Sequence, residues 1–395
     1  MKTLDEFASQ KFAIYILGAG FSKPAGLPLA PELWNEVRRR ALAMTGRAGF
    51  FRDDLEAYIE YRKRCDGKEL TFETVDFEEF MAFLDIEFHL GLRGKETWSS
   101  QGNEAQVIAK TLIGEILTER MPTNIPELYL KFAKILKPDD YVLTFNYDVL
   151  LERALEQAGV PYRLFPNRYA PDEFNHSSRF MTVDNSRQEV IVLKPHGSID
   201  WFDRTDYSQI EKDRVEQGFG PGGTDLVFQD PTRFKTTPLL DGPRFRTDPL
   251  REMYRVKDIE RLYQSRPLFS ATPSLFNPSS MKILYAQMVR DFWWGMGNAG
   301  GMNFRMAVIG FSLPPQDDYA RQIIYRLVRN YQTIDWDSTW DDAGHKKTPV
   351  VLIDFRHSLA DQEEFRRRYA FADSNKTETC FSGFDEYALD VLENR

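Results

Sequence analysis

The sequence predicts an α/β fold of the Rossmann-like kind: a parallel sheet with helices on both faces, a large helical insertion and a loop-rich insertion. Three observations predict it. Short, almost wholly apolar runs recur at 12–17 (FAIYIL), 140–145 (DYVLTF), 189–194 (EVIVLK), 304–310 (FRMAVIG) and 349–354 (PVVLID). Segments with helical spacing of apolar residues separate them. Strands that are apolar along their length are buried on both faces, which marks a parallel sheet covered by helices.

The elements follow in order. The run at 12–17 ends in glycine, so a strand leads into a tight turn. From Pro31 to about Leu136 the pattern is helical, with ELWNEVRRRALAM, FEEFMAFLDIEFHL and AQVIAKTLIGEILTERM as its clearest segments. A second strand at 140–145 precedes a helix from about 148 to 158. The third strand is 189–194. From 202 to about 280 Pro, Gly, Asp and Arg are frequent, and the segment reads as loops with short elements. A helix at 281–294, a strand at 304–310, a helix at about 317–331 and a strand at 349–354 follow. Helices near 359–369 and 384–393 end the chain. The expected division is therefore a Rossmann-like domain built from 1–30, 137–201 and 281–395, a helical insertion at 31–136 and a loop-rich insertion at 202–280.

Composition narrows the function classes. Hydrophobic residues at 42% and charged residues at 28% describe a globular chain and exclude disorder as its main state. The net charge of −9 lacks the basic footprint of a nucleic-acid binder, so no direct nucleic-acid contact is expected. No apolar run is long enough to cross a bilayer, and the acidic residues before the first strand fit neither a signal nor a transit peptide. Cys65 and Cys380 are the two cysteines. They make neither a disulfide framework nor a four-cysteine zinc site, and a cytoplasmic location is expected.

In parallel α/β sheets ligands bind beyond the carboxyl ends of the strands. Gly18-Ala19-Gly20-Phe21-Ser22, Asn146-Tyr147-Asp148, Pro195-His196-Gly197-Ser198, Gly310-Phe311-Ser312 and Asp354 stand there. Gly18-Ala19-Gly20 fits a phosphate cradle, in which glycine admits the pyrophosphate and turn N–H groups face it. It also fits a bare strand-to-helix turn. Lys23 stands where the dehydrogenase fingerprint has its third glycine, and no second strand ending in an acid follows about 20 residues on, so hydride transfer is disfavoured. The formal G-x-G-x-x-G at 218–223 follows a charged stretch and reads as a loop. Ser312 lacks the G-x-S-x-G of a hydrolase elbow, since Pro314 replaces the last glycine.

Five histidines occur: His89, His176, His196, His345 and His357. None forms a metal-ligand pattern, so no metal is expected. His89 reads as structural, and His176 and His345 as loop residues. His196 stands directly after a buried strand, where it serves equally as a general base or as the hydrogen-bonding partner of a turn. Asn146 and Asp148 taken alone read as helix caps.

Taken together, LGAGFSKPAGLP (17–28), TFNYD (144–148), KPHGSIDW (194–201), VIGFSLPPQDD (308–318) and VVLID (350–354) resemble the nucleotide-binding core of the sirtuin-like (silent-information-regulator-like) superfamily. The resemblance leaves about half of the intervening chain, chiefly 35–135 and 202–280, without motif. It implies an NAD site. Gly18, Ala19, Gly20 and Ser22 would cradle the pyrophosphate, and Phe21 and Pro28 would belong to the cofactor-binding set. Asn146 would position the nicotinamide ribose and the attacking water, Tyr147 would line the pocket, and Asp148 would bond the carboxamide. His196 would be the base at a ribose hydroxyl. Gly310 and Ser312 would contact the adenosine side, and Asp354 would accept from the adenosine ribose. Protein-deacylating sirtuins carry a zinc ribbon with two C-x-x-C pairs, and this chain does not. The deacylase GIPDFR stretch is replaced by Gly26-Leu27-Pro28-Leu29-Ala30-Pro31-Glu32-Leu33. The pattern is similar to the bacterial antiphage-defence branch, which implies an NAD glycohydrolase that depletes NAD, a homo-oligomer, and a partner ATPase or other defence protein. A deacylase or ADP-ribosyltransferase, and a non-catalytic NAD or ADP-ribose sensor, are the alternatives. The two insertions are the expected places for oligomer or partner contacts.

Overall fold

The computed structural model describes residues 12–46, 49–92, 99–171, 181–183, 186–220, 225–242, 248–267, 270–276, 286, 300–315, 317–334, 336–337 and 346–394. Seven parallel strands form the central sheet: β1 (Ala13–Leu17), β2 (Tyr141–Thr144), β3 (Tyr162–Leu164), β4 (Val190–Leu193), β5 (Arg305–Ile309), β6 (Val350–Ile353) and β7 (Thr377–Cys380). Their spatial order is β7-β6-β5-β1-β2-β4-β3, and every neighbouring pair runs parallel. The fold is thus the α/β, Rossmann-like class that the apolar runs predict. All residues of β1, β4 and β6 are buried, as strands with helices on both faces must be.

The two edge strands, β3 and β7, were not among the predicted strands. Their sequences are YRL and TETC, too short and too polar to carry an apolar-run signal. An edge strand has one neighbour and an open flank, so its identity is decided by the partner it pairs with.

Between β1 and β2 lie α1 (Ala19–Ser22), α2 (Ala30–Ala43), α3 (Gly49–Asp66), α4 (Phe77–Leu90), α5 (Glu104–Arg120) and α6 (Glu127–Ile135). Helix α5 is buried nearly all round between α2, α3 and the short helix Ile259–Gln264. A reciprocal capping box of Asn103 and Gln106 starts it. Helix α6 packs instead on α7 (Leu150–Ala158) and α10 (Glu386–Glu393), and its Phe132 meets Tyr15 of β1 edge-on at 5.7 Å. Helices α8 (Asp318–Thr333) and α9 (Leu359–Arg368) follow β5 and β6.

Within 202–280 the described residues include helix Thr205–Glu216 and a three-stranded antiparallel sheet of Trp201–Asp203, Met253–Val256 and Thr236–Pro238. Gly218 follows that helix rather than a strand, with Pro221 to Gly223 outside the described residues. The expected helix at 281–294, with its Trp293-Trp294 pair, lies outside them too apart from Ala286, as do His176 and His345. Among the described residues no helix is long and apolar enough to cross a membrane.

Candidate active site

Strand β1 has β2 on one side and β5 on the other, so the chain leaves the sheet centre in opposite directions. That switch point is where an open parallel sheet forms a crevice. A cavity of about 710 Å³ lies there. Gly18, Ala19 and Gly20 after β1 line it, as do Asn146, Tyr147 and Asp148 after β2 and His196 after β4. Gly310 and Ser312 after β5, Asp354 after β6, and Pro28 complete the sequence-predicted set that reaches it. The opposite wall comes from the helical segment: Leu33, Trp34 and Val37 of α2, Phe77 of α4, and Ile113 and Leu117 of α5.

Two predicted residues stand elsewhere. Phe21 is 1% exposed and packs on Tyr129, Phe132 and Phe384, with ring centroids 4.7–5.2 Å apart. Its side chain anchors the glycine turn to the core rather than lining the cavity. Ser22, also buried, lies behind the wall, where its Oγ accepts from Asn146 Nδ2 at 3.1 Å. Its hydroxyl also favours the charged form of the Asp148 carboxyl.

The glycine turn differs from the expected cradle in its N–H groups. Gly18 N–H donates to Ile309 O and Gly20 N–H to Gly310 O, both at 2.9 Å, and Phe21 N–H donates to Gly18 O. These donors are spent on the protein. The glycines let two loops touch backbone to backbone: a Cβ on Gly310 would lie 2.2 Å from Phe21 N, and Gly310 has φ +63°. We predict that Gly310→Ala lowers stability by about 2–4 kcal/mol, since steric overlap and a left-handed backbone both oppose a side chain. Urea denaturation measures this, and wild-type stability would refute the close-packing account.

Asn146 has a fixed orientation. Its Nδ2 donates to Gly18 O at 2.9 Å and to Ser22 Oγ at 3.1 Å. A carbonyl oxygen only accepts, so Nδ2 must face it and Oδ1 remains as the acceptor end. Asp148 is not the N-cap of α7, which is Val149, but its Oδ1 accepts from Leu150 N–H at 3.0 Å, and it lines the cavity as well. Burial raises its pKa, opposed chiefly by the nearby Lys194. Lys194 is fully buried, pairs with Glu152 at 2.8 Å, and donates to the Asp148 backbone carbonyl at 2.5 Å. It thereby ties β4 to the turn after β2.

His196 is buried, its ring edge-on to Phe145 at 5.0 Å, and Phe145 stacks on Phe311 at 4.5 Å. Its backbone is clamped by the end of the loop-rich segment: Phe276 N–H donates to His196 O at 2.8 Å. Gly197 (φ +78°) lets that segment cross, because a Cβ there would lie 2.0 Å from Ser274 O. His196 Nε2 contacts the Tyr319 hydroxyl and lies 3.1 Å from Asp317 Oδ2. Asp317 and Tyr319 are two of the residues that sequence reasoning missed. The signal was present in the PPQDD run after the fourth predicted strand, but nothing linear ties 317 to 196. The other described histidines, His89 and His357, are exposed and stand outside the cavity wall.

At the β6 side, Asp354 Oδ1 accepts from Phe355 N–H at 2.8 Å and Oδ2 from Arg356 Nη2 at 2.7 Å. Burial raises the Asp354 pKa, with Arg356 acting against it. Phe355, Arg356 and Lys23 also line the cavity without having been predicted. Among the described residues no group of three or more His, Cys, Asp or Glu is placed to hold a metal.

Residues 140–266 match the family model described as the SIR2-like domain. Among solved structures the chain is similar to one titled "The Structural basis of Sirtuin Substrate Affinity", at 11% identity and a TM-score of 0.35, covering 100% of this chain and 99% of that one. A search of curated proteins finds no match. The domain match supports a sirtuin-like family, and the matched stretch is the one that supplies Asn146, Asp148 and His196.

Proposed function

We propose that the cavity is the active site of an NAD glycohydrolase, which cleaves the nicotinamide–ribose bond to give nicotinamide and ADP-ribose. The SIR2-like match points to NAD-dependent chemistry in general. The observation that carries the finer reading is the placement of Asn146 and Asp148 after β2, with His196 after the neighbouring β4, and of Asp354 after β6, three strands from β2. Three strand spacings are about 14 Å. That separation suits a dinucleotide with one ribose at each end.

The chemistry needs few groups. The C1′–N bond breaks with its electron pair going to the ring nitrogen, so nicotinamide leaves neutral. Positive charge grows on the ribose, and water adds at C1′ and loses a proton. Asn146 Oδ1 is an acceptor that can orient that water and face the developing charge. His196 takes the proton, directly or through a ribose hydroxyl. Asp148 holds the carboxamide, and Asp354 receives the hydroxyls of the adenosine ribose. The apolar wall of α2, α4 and α5 keeps bulk water from the site and strengthens these interactions. Depletion of NAD in an antiphage response, with a partner ATPase or other defence protein as activator and a homo-oligomer as the working form, completes the proposal.

Incubation of the full chain with NAD, alone and with candidate activators, is expected to release nicotinamide and ADP-ribose in equal amounts. Tight NAD binding with no turnover under any partner condition would favour a sensor instead. An acyl-ADP-ribose or a modified protein would favour a transferase.

A further inference from the structure

A dinucleotide brings a negatively charged pyrophosphate, and the cavity must meet that charge. The N–H groups of Gly18, Gly20 and Phe21 are spent on Ile309 O, Gly310 O and Gly18 O. Helix α1 has four residues and adds little dipole of its own. Among the described residues that line the cavity, Glu78, Asp148, Asp317 and Asp354 are acidic, and Lys23 and Arg356 are basic. Arg356 is committed to Asp354, whose Oδ2 accepts from its Nε at 3.1 Å and its Nη2 at 2.7 Å. Lys23 directly follows the glycine turn. Its Nζ donates to Glu32 Oε1 at 2.7 Å and Oε2 at 2.6 Å. The ammonium holds the Glu32 carboxyl below the usual carboxylate range. The two side chains are 46% and 51% exposed, and Glu32 itself does not line the cavity. An exposed pair of this kind is held weakly, and the flexible lysine stem lets the ammonium turn to another anion.

We propose that Lys23 is a substrate-binding residue whose ammonium exchanges Glu32 for the pyrophosphate of the dinucleotide, so that Glu32 competes with substrate for the same cation. The proposal rests on the reading of this cavity as an NAD site. It assigns the anion's counter-charge to a side chain rather than to the backbone of the glycine turn. The division of labour follows from exposure. Asp354 and Arg356 have side chains 10% and 25% exposed and form a fixed pair at the β6 side, whereas Lys23 and Glu32 form a loose one beside β1. A dinucleotide spanning the crevice between those ends presents its phosphates to the loose pair. Glu32 has a second task, since its Oε2 accepts from Leu29 N–H at 2.8 Å at the start of α2. Glutamine keeps an acceptor for that bond while losing the charge, so the two tasks can be separated.

Titration calorimetry of the full-length protein with ADP-ribose tests this, because that ligand carries the pyrophosphate and no bond need be cleaved. Lys23→Met is expected to weaken binding about tenfold or more, the usual loss for a charge-assisted hydrogen bond to phosphate. Lys23→Arg, which keeps the charge, should stay within about threefold of wild type. Glu32→Gln is expected to tighten binding about two- to fivefold, since it removes a competing surface ion pair. The opposite signs are the decisive readout. A pair that merely braces the loop between β1 and α2 would weaken binding in both variants, and that result overturns the proposal. Unchanged ADP-ribose affinity in Lys23→Met overturns it equally. A wild-type protein that binds no ADP-ribose also overturns it, and nicotinamide release from NAD then decides the NADase reading separately. Opposite shifts in a protein that cleaves no NAD under any condition support the role of Lys23 and remove the NADase reading instead.

Discussion

Replacing Asn146 or His196 with alanine is expected to abolish nicotinamide release while NAD still binds. Neither side chain holds the bulk of the dinucleotide. The glycine turn, the apolar wall and Asp354 line the cavity as well. Loss of a positioned acid–base group typically lowers turnover by about 100- to 10,000-fold. NAD affinity should change by no more than about threefold. The two variants should differ in kind. His196→Ala removes the proposed proton acceptor, so its residual rate should lose the pH dependence of the wild type. Asn146→Ala removes Oδ1 and also frees Gly18 O and Ser22 Oγ from Nδ2, so it should slow turnover and loosen the turn after β1. Single-turnover assays with titration calorimetry separate the two effects. Full activity in either variant would remove the site assignment.

Lys194→Met is expected to lower folding stability by about 3–5 kcal/mol, the usual loss when one partner of a buried ion pair is removed. Lys194 and Glu152 have side chains 0% and 2% exposed, with 2.8 Å between charged atoms. Burial already raises the Glu152 pKa, and Lys194 is the main opposing influence. Without it the folded-state pKa of Glu152 rises further above its unfolded value. The folded variant then holds a proton that the unfolded chain has released, so its stability falls as pH rises through that window. The deficit should therefore be larger at pH 8 than at pH 5. The double variant Lys194→Met with Glu152→Gln should recover part of the loss, because no buried charge is stranded. Urea melts at the two pH values measure this. A loss that is small and independent of pH would show that the pair is not the tie between β4 and the turn at Asp148.

The five apolar runs were legible as strands because burial on both faces demands apolar residues without alternation, and that pattern is local. The same runs place Gly18, Asn146, His196, Gly310 and Asp354 at strand ends, and the parallel sheet gathers them at one edge. Phe21 shows the limit of motif reading. It stands inside the glycine motif, yet its ring belongs to the aromatic cluster of Tyr129, Phe132 and Phe384. The motif fixes the path of the backbone, while packing decides where each side chain turns. Edge strands β3 and β7 were illegible for a related reason, since a few polar residues become a strand only through a neighbour.

By itself the sequence determined the five inner strands, the residues at their carboxyl edge and the scarcity of cysteine that separates this chain from the zinc-bearing deacylase pattern. These are properties of short windows or of composition. The tertiary structure decided the order β7-β6-β5-β1-β2-β4-β3, the apolar wall from α2, α4 and α5, and the meeting of Asp317 with His196. Residues 317 and 196 come from different loops, and their contact exists only because β4 and β5 lie in one sheet. Such a contact is set by chain topology and by the free energy of packing many distant side chains at once, which no local pattern encodes.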